Sequence, residues 1–327
     1  MGDPGGIGPD ITILTWLSRS KERVPKFVYI GNEALLNERA KLLNKKIKTN
    51  KITNTTDKSV IDDFDKAIPV IDLPIASTSP NRFEIKNNSS IINSINTAYQ
   101  LVKDGALSAL VTNPVNKNSL QYANKNFSGQ TELLGYISKT EYPVMMLVSK
   151  MLKVVPLTRH IPISEIPKNI SSKLIIATTK TLIDSVDSYF CMRKPRIAIT
   201  GLNPHSGDSG LIGKEEIDII DPAIKILKKN KLNVRGPLSA DSLFNKDSIR
   251  SFDIAVCMYH DQALIPIKTL AHFATVNVTL GLDIVRTSPD HGTAYQHAGK
   301  GSANNQSLFN SLHLAEKMVQ NYARKRT

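Results

Sequence analysis

Short apolar segments alternate with longer amphipathic segments along most of the chain. Segments such as VMMLV and FDIAVC are short and rich in Val, Ile and Met, which is typical of buried strands. Longer stretches, such as 307–325, repeat apolar residues every three or four positions, as a helix does. The alternation predicts an α/β fold with a largely parallel sheet. Strands are predicted at 27–32, 66–73, 106–113, 144–149, 153–158, 196–203, 252–260 and 274–280, and helices at 89–105, 179–191, 215–230 and 307–325.

The composition argues against a membrane-spanning protein, a secreted protein and a structural zinc site. No apolar run approaches the roughly 18 to 20 residues that a membrane-spanning helix needs. The first residues lack the charged and apolar regions of a secretion signal. Cys191 and Cys257 are isolated in the sequence, which fits a reducing compartment and excludes a structural zinc knuckle. We therefore expect a cytoplasmic protein with no membrane partner.

The formal net charge of +13 raises the question of nucleic-acid binding. The lysines, however, are dispersed along the whole chain, and aromatic residues make up only 6% of it. No basic stripe interleaved with aromatic residues is present, so the charge does not predict a nucleic-acid partner. A basic surface also suits a small anionic substrate, because it steers that substrate towards its site.

Three histidines follow predicted strands, namely His160, His205 and His260. In α/β sheets the carboxyl ends of the strands are where ligands bind, and a divalent metal needs about three protein ligands. The spacings are long, so no local motif confirms a metal site, and any one of these histidines alone is more often an ordinary core or surface residue. The residues by themselves leave the metal and the structural interpretations about equal.

The C-terminal third carries further candidates. Lys268 and Arg286 suit the binding of a carboxylate or a phosphate, although each taken singly equally suits a solvated surface charge. The segment DHGTAYQHAGKGSANN resembles the loop that binds the adenosine of the nicotinamide cofactor in isopropylmalate and isocitrate dehydrogenases. That resemblance implies cofactor contacts from His291, Gly292, Thr293, Ala294 and Asn304.

Motifs from one end of the chain to the other resemble a single family, 4-hydroxythreonine-4-phosphate dehydrogenase of vitamin B6 biosynthesis. They include GDPGGIGPD, TNPVNK, GQTELLG, TRHIPI, GLNPHSGDSGLIGKEEID, MYHDQALIPIK and RTSPDHGTA. The resemblance implies a fold like that of isocitrate and isopropylmalate dehydrogenases, with two interwoven α/β/α domains and a central cleft. The expected domains are 1–122 with 291–327, and 123–290.

The resemblance also implies a reaction. Members of the family oxidise 4-phosphonooxy-L-threonine with NAD or NADP, and the product loses CO2 to give 3-amino-2-oxopropyl phosphate. A divalent metal (zinc, magnesium or cobalt) would be held by His160, His205 and His260. One ligand would come from the partner chain, so the active protein is expected to be a homodimer.

Other roles follow from the same resemblance. Lys268 would orient the substrate hydroxyl or relay its proton, and Asp241 and Asp261 are weaker candidates for carboxylates that support the metal ligands or the catalysis. One position departs from the family, because its members usually have a histidine where this chain has Gln130. The implied substrate contacts are Gln130, Thr131, Lys268, Asn277 and Arg286.

Two alternatives stay open at this point. The chemistry fits a dehydrogenase of a four-carbon sugar-acid phosphate such as D-threonate 4-phosphate, and a non-catalytic protein that binds a phosphorylated ligand is a different class. In the family a short strand precedes the Gly-Asp-Pro turn, whereas here Met1 stands directly before it. We hypothesise that the true start lies upstream, and we expect helix 11–18 to be loosely anchored.

Overall fold

The computed structural model of the chain describes residues 1–52, 63–125, 127–271 and 274–326. The chain divides by its contacts into two compact units, each assembled from separate stretches of sequence. Both units combine helices with largely parallel strands, which confirms the α/β fold class. Among the described residues, no helix is both long enough and apolar enough to cross a membrane. The first unit comprises Met1–Lys139 and Leu282–Val319, and the second comprises Thr140–Gly281 and Gln320–Thr327.

The first unit contains two groups of parallel strands. Strands β1, β3 and β2 pair in that order, and β4 pairs with β11. The strands are β1 (Tyr29–Gly31), β2 (Thr49–Lys51), β3 (Ile68–Asp72), β4 (Leu110–Val111) and β11 (Arg286–Pro289). The helices are α1 (Gly8–Ser18), α2 (Glu33–Leu42), α3 (Asn88–Lys103), α4 (Lys117–Ala123), α5 (Gln130–Ile137) and α11 (Gln306–Arg326), of which α11 continues past Val319.

Helix α1 is firmly packed, contrary to the loose anchoring expected from the sequence. Ile11 and Ile13 are fully buried, and Trp16 is nearly so. The side chain of Asp10 is buried against the guanidinium of Arg39, which also donates to backbone carbonyls of the preceding glycine-rich turn. The helix therefore needs no strand ladder at its entry, because a buried ion pair and apolar burial fix it instead.

The second unit contains a six-stranded arrangement in the order β10, β5, β6, β9, β7, β8. Strand β5 is antiparallel to both of its neighbours, and the remaining pairs are parallel. The strands are β5 (Val144–Val148), β6 (Lys153–Pro156), β7 (Ile197–Thr200), β8 (Val234–Leu238), β9 (Ile254–Cys257) and β10 (Val276–Leu280). The helices are α6 (Ile166–Asn169), α7 (Ser172–Phe190), α8 (Asp221–Lys229), α9 (Ala240–Leu243) and α10 (His260–Ala271).

Each predicted strand segment contains an observed strand, and each predicted helix segment contains a helix. Helix α10 (His260–Ala271) follows the predicted strand 252–260 and contains Pro266. Strands β2, β8 and β11 were not predicted. Strand β2 is short and polar, β8 contains Gly236 and Pro237, which are uncommon in strands, and β11 is polar although fully buried. Short 3₁₀ helices occur at Asp63–Asp65, Ile85–Asn87, Ile163–Glu165, Ser248–Ser251 and Tyr295–His297, and a π-helix at Glu216–Ile220. The turns of Pro204–Gly210 are not a regular helix, because His205–Ser209 have positive φ.

The core contacts explain the bounds of the first unit. Leu133 and Leu134 of α5 are buried in one cluster with Ile91 and Leu282. Compared with the expected domain of 1–122 with 291–327, the first unit therefore also takes in 123–139 and 282–290, whereas 320–327 belongs to the second unit.

Candidate active site

His160 and His260 meet at one edge of the second unit's sheet. They follow β6 and β9, which are parallel neighbours with Pro156 beside Cys257 at their last positions. The residues that follow the two strands therefore lie at the same edge of the sheet. The centroids of the two imidazole rings are 5.7 Å apart. They line a pocket of about 160 Å³, whose other lining residues are Thr158, Arg159, Ile161, Ile163, Ile166, Tyr259 and Asp261.

The carboxylate of Asp261 contacts the ring of His260. Its Oδ1 lies 2.6 Å from Nδ1 of the histidine, so Nδ1 is the protonated nitrogen when Asp261 is ionised. That tautomer leaves Nε2 with a lone pair, which is the arrangement found in metal-binding histidines. Lys268 is half-buried on the same helix, two turns beyond His260.

His205 follows β7, the strand on the other side of β9. Its backbone has φ of 52°, in the left-handed region, and His160 shares this feature with φ of 51°. Non-glycine residues in this region are uncommon and cluster at functional sites. Asp241 of α9 accepts a hydrogen bond from Ser239, which is the main cause that lowers the pKa of this carboxyl, and the nearby His205 contributes to the same shift.

The structure therefore brings His160, His260 and Asp261 together and places His205 with Asp241. Within the described residues of one chain, no group of three or more His, Cys, Asp or Glu side chains is arranged to hold a metal ion. The resemblance implies a metal ligand from a partner chain, so the assignment of His160, His205 and His260 to one metal stays a prediction.

Asn277 occupies the middle of β10, opposite Leu147 of β5. Its side-chain oxygen is buried and accepts no hydrogen bond within the described part of the chain. Such an atom is uncommon in a folded protein, because a buried acceptor without a donor costs about 1–3 kcal/mol. Asn277 is thus suited to accept a hydrogen bond from a ligand.

In the first unit, Arg286 lies fully buried at the start of β11. Its guanidinium donates to the hydroxyl of Thr112 at 2.7 Å and to Oε1 of Gln130 at 3.3 Å. The Gln130 amide in turn donates to the backbone carbonyl of Asn113 at 3.1 Å. Burial lowers the pKa of Arg286 to about 10, and the negative charge of Glu132 opposes that shift.

Gln130 and Thr131 are the first two residues of α5, directly after Gly129 in extended backbone. Thr131 follows Gln130 in this helix and is buried, with an exposed fraction of 5%. Gln130 is hydrogen-bonded to Arg286, and we call these two residues together with Thr131 the arginine cluster.

The loop 291–304 surrounds the short 3₁₀ helix Tyr295–His297. A Cβ atom built on Gly292 or on Gly301 would meet nothing within 4 Å, so neither glycine is required by contacts inside the chain. Space beside a glycine backbone is what a closely approaching ligand needs. The side chain of Asn304 accepts from the N–H of Gln306 and so helps to begin α11.

Four residues of the two units have structural roles that the sequence interpretation missed. Tyr295 donates to the buried carboxylate of Asp3 at 2.7 Å and accepts from Asn116, which ties the loop 291–304 to the N-terminal turn. Burial raises the pKa of Asp3, although hydrogen bonds from Tyr295 and Gly5 oppose the shift.

Gln262 links the second unit's elements. Its Oε1 accepts from Thr200 and from the N–H of Met258, both at 2.7 Å, and its Nε2 donates to Gly201 at 2.8 Å. It thereby fixes the start of α10 to the end of β7. The fourth residue is Glu216, whose buried carboxylate accepts hydrogen bonds from the N–H groups of Leu202 and Asn203, shortly before His205 in the sequence. The sequence signal for all four was their position inside the quoted motifs.

Comparisons with known proteins agree over nearly the whole chain. A family model described as pyridoxal phosphate biosynthetic protein PdxA matches residues 23–315. A 4-hydroxythreonine-4-phosphate dehydrogenase of Bradyrhizobium diazoefficiens is 42% identical over 98% of this chain and 95% of its own length, and one of Ruegeria is 40% identical over 97% and 95%. The crystal structure of the enzyme with that name from Klebsiella pneumoniae superposes with a TM-score of 0.84 at 31% identity, covering 98% of this chain and 96% of that one.

Proposed function

The chain belongs to the family of pyridoxal phosphate biosynthetic protein PdxA, and on that premise we propose that it oxidises 4-phosphonooxy-L-threonine with NAD or NADP. The resulting β-keto acid loses CO2 and leaves 3-amino-2-oxopropyl phosphate. Relatives named as dehydrogenases imply a nicotinamide cofactor for this chain. The family match carries the proposal, and the contacts of the predicted site residues support it.

We assign binding of the substrate's anionic group to the arginine cluster. The Arg286 guanidinium is held in place by Thr112 and Gln130, so its orientation is set before a ligand arrives. A guanidinium binds phosphate or carboxylate through paired hydrogen bonds, and burial strengthens these bonds because water does not compete. The hydroxyl of Thr131 is proposed as a further donor to the substrate. Asn277 is proposed separately as a substrate contact, because its buried amide oxygen accepts no hydrogen bond within the described residues.

The histidines fit a divalent metal by the chemistry of their donor atoms. His160 and His260 lie side by side, and Asp261 orients the His260 ring with Nε2 available. We propose that these two and His205 hold zinc, magnesium or cobalt, with the three histidines shared between the chains of a homodimer. Bound there, a divalent cation supplies Lewis acidity that lowers the pKa of a substrate hydroxyl.

Lys268 is proposed to hold or move the proton of that hydroxyl through its Nζ atom. It lies on α10 with His260, so the helix fixes the separation of the two backbone positions. General acid–base groups of this kind contribute roughly 10²- to 10⁴-fold to the rate. Asp261 acts on the His260 ring, and Asp241 lies beside His205, so both are proposed as supporting carboxylates.

The loop 291–304 is proposed to bind the adenosine of the cofactor. The residues proposed to contact it are His291, Gly292, Thr293, Ala294 and Asn304, and the open space at Gly292 supports this role.

Cys191 and Cys257 are both free thiols, which supports a reducing, cytoplasmic location for the homodimer.

The proposal is tested by following reduction of NAD and of NADP at 340 nm with each metal in turn. Two substrates are compared, 4-phosphonooxy-L-threonine and D-threonate 4-phosphate, and release of CO2 is measured in parallel. We expect turnover of the threonine-derived substrate with CO2 release. Turnover of the threonate alone would replace the proposal with the sugar-acid alternative, and binding of phosphorylated ligands without any reduction would identify a non-catalytic binder.

A further inference from the structure

The segment that carries His205 has an unusual backbone. Residues His205–Ser209 all have positive φ, between 42° and 78°, and only Gly207 among them is a glycine. L-amino acids visit this conformation as single residues and avoid it in succession, because each Cβ comes too close to the following carbonyl oxygen. Other contacts must therefore hold the left-handed segment in place.

The carboxylate of Glu216 supplies such contacts. It is buried, with an exposed fraction of 4%, and it accepts hydrogen bonds from the N–H groups of Leu202 at 2.7 Å and Asn203 at 2.8 Å. The side-chain amide of Asn203 donates to its second oxygen at 2.9 Å. Hydrogen bonds to a charged acceptor are among the stronger ones in proteins. Glu216 thus fixes the chain just before it turns into the left-handed segment.

The chain also packs closely against this carboxylate at two glycines, one before the left-handed segment and one inside it. A Cβ atom built on Gly201 would lie 2.9 Å from Oε1 of Glu216, and one on Gly207 would lie 2.6 Å from Oε2. A side chain at either position would therefore force the carboxylate to move. Glu216 begins the π-helix Glu216–Ile220, and such turns occur frequently at functional sites.

We propose that Glu216 is a positioning residue, which holds the left-handed segment so that His205 is presented to the metal. The carboxylate does not itself contact substrate or metal. It sets the backbone from which the histidine projects, and the free energy that the left-handed residues cost is offset by its hydrogen bonds. The inference rests on the proposed function, because metal binding is the role it assigns to His205.

The test uses Glu216→Gln and Glu216→Ala, with Asp218→Asn as the matched control. Asp218 is an exposed carboxylate in the same π-helix, so its variant changes the local charge without touching the left-handed segment. Co²⁺ is titrated into each protein, and its visible d–d absorption reports both affinity and ligand geometry. Hydrogen exchange of residues 202–213 and unfolding in urea are measured on the same samples.

We expect Glu216→Ala to weaken Co²⁺ binding about 10- to 100-fold, as loss of a residue that orients a metal ligand does. Its Co²⁺ spectrum changes and residues 202–213 exchange faster, while the rest of the second unit keeps its protection. Glu216→Gln retains part of the affinity, because its amide oxygen still accepts the two backbone hydrogen bonds, and Asp218→Asn behaves as wild type.

Wild-type Co²⁺ affinity and spectrum in folded Glu216→Ala would overturn the proposal, since a merely structural glutamate affects stability alone. A further variant separates this failure from failure of the metal assignment. If His205→Ala binds Co²⁺ as tightly as wild type, the metal role proposed for His205 is wrong, and presentation of His205 to a metal is overturned with it. If His205→Ala loses binding but Glu216→Ala does not, only the positioning role fails.

Discussion

The replacement of the family histidine by Gln130 makes a sharp prediction about pH. We consider the variant Gln130→His assayed on 4-phosphonooxy-L-threonine between about pH 6 and pH 9. The pKa of the neighbouring Arg286 is lowered only to about 10, so this guanidinium stays mainly protonated throughout the range. A difference in pH dependence between the variant and wild type therefore reports the imidazole.

The size of the effect follows from the contacts of the glutamine. The variant loses a neutral acceptor for Arg286 and a donor to the Asn113 carbonyl, and the first of these losses costs about 0.5–1.5 kcal/mol. A protonated histidine gains a charge-assisted hydrogen bond to the substrate's phosphate or carboxylate, worth about 1.5–3 kcal/mol. The midpoints of these two ranges differ by about 1.25 kcal/mol, which corresponds to a KM roughly 8-fold lower.

The sign of the pH dependence is also determined. In the free enzyme the Arg286 cation disfavours protonation of a neighbouring imidazole, so the variant takes up a proton when the anionic substrate binds. We therefore expect the KM of Gln130→His to fall below that of wild type at the acidic end only. At about pH 9 the imidazole is neutral, and the KM equals or exceeds the wild-type value.

The control is Gln130→Asn, which keeps an amide but cannot titrate. Its KM relative to wild type should be independent of pH, and taking ratios removes the titration of the substrate's phosphate, which affects all three proteins alike. A pH-independent ratio for Gln130→His would refute the reasoning about charge. A wild-type protein that oxidises only D-threonate 4-phosphate would show instead that Gln130 belongs to a changed substrate choice.

Three further predictions concern the metal, the assembly and the fold. Changing His160, His205 or His260 singly to Ala should abolish turnover and lower metal content measured by atomic absorption, and near-normal values in all three variants would exclude the site. The rings of His160 and His260 are 5.7 Å apart in one chain, so we expect one chain to supply both of them to a metal site. Mixing His205→Ala with His260→Ala protein should then restore activity in hybrid dimers, whereas mixing His160→Ala with His260→Ala protein should not. The opposite pattern would show that His160 and His260 of one site come from different chains. Asp10→Asn should lower the free energy of unfolding by about 3–5 kcal/mol in urea, since it leaves its arginine partner buried without a counter-charge. Glu316→Gln, which breaks an exposed ion pair, should cost at most about 1 kcal/mol, and equal losses from the two variants would contradict the role of burial.

The pattern of apolar residues was sufficient to predict the fold class and the main strands. Buried strands such as β5 and β9 consist only of apolar residues, namely Val, Ile, Leu, Met, Ala and Cys, so their hydrophobicity alone marks them. It was not sufficient for β11, whose Arg286 and Thr287 are buried among polar partners. A polar strand is stabilised by its hydrogen bonds, and these depend on segments far away in the sequence.

The candidate residues divide in the same way. The motifs gave the candidate residues, because residue types such as histidine and arginine are visible in the sequence itself, and the roles of these residues stay predictions. Only the tertiary structure decided that Arg286 bonds to Thr112 and Gln130, since the parallel pairing of β11 with β4 brings residues 174 and 156 positions apart into contact. The left-handed backbone at His205 was likewise invisible in the sequence, because Glu216 stabilises it through hydrogen bonds that exist only once the chain has folded around that carboxylate.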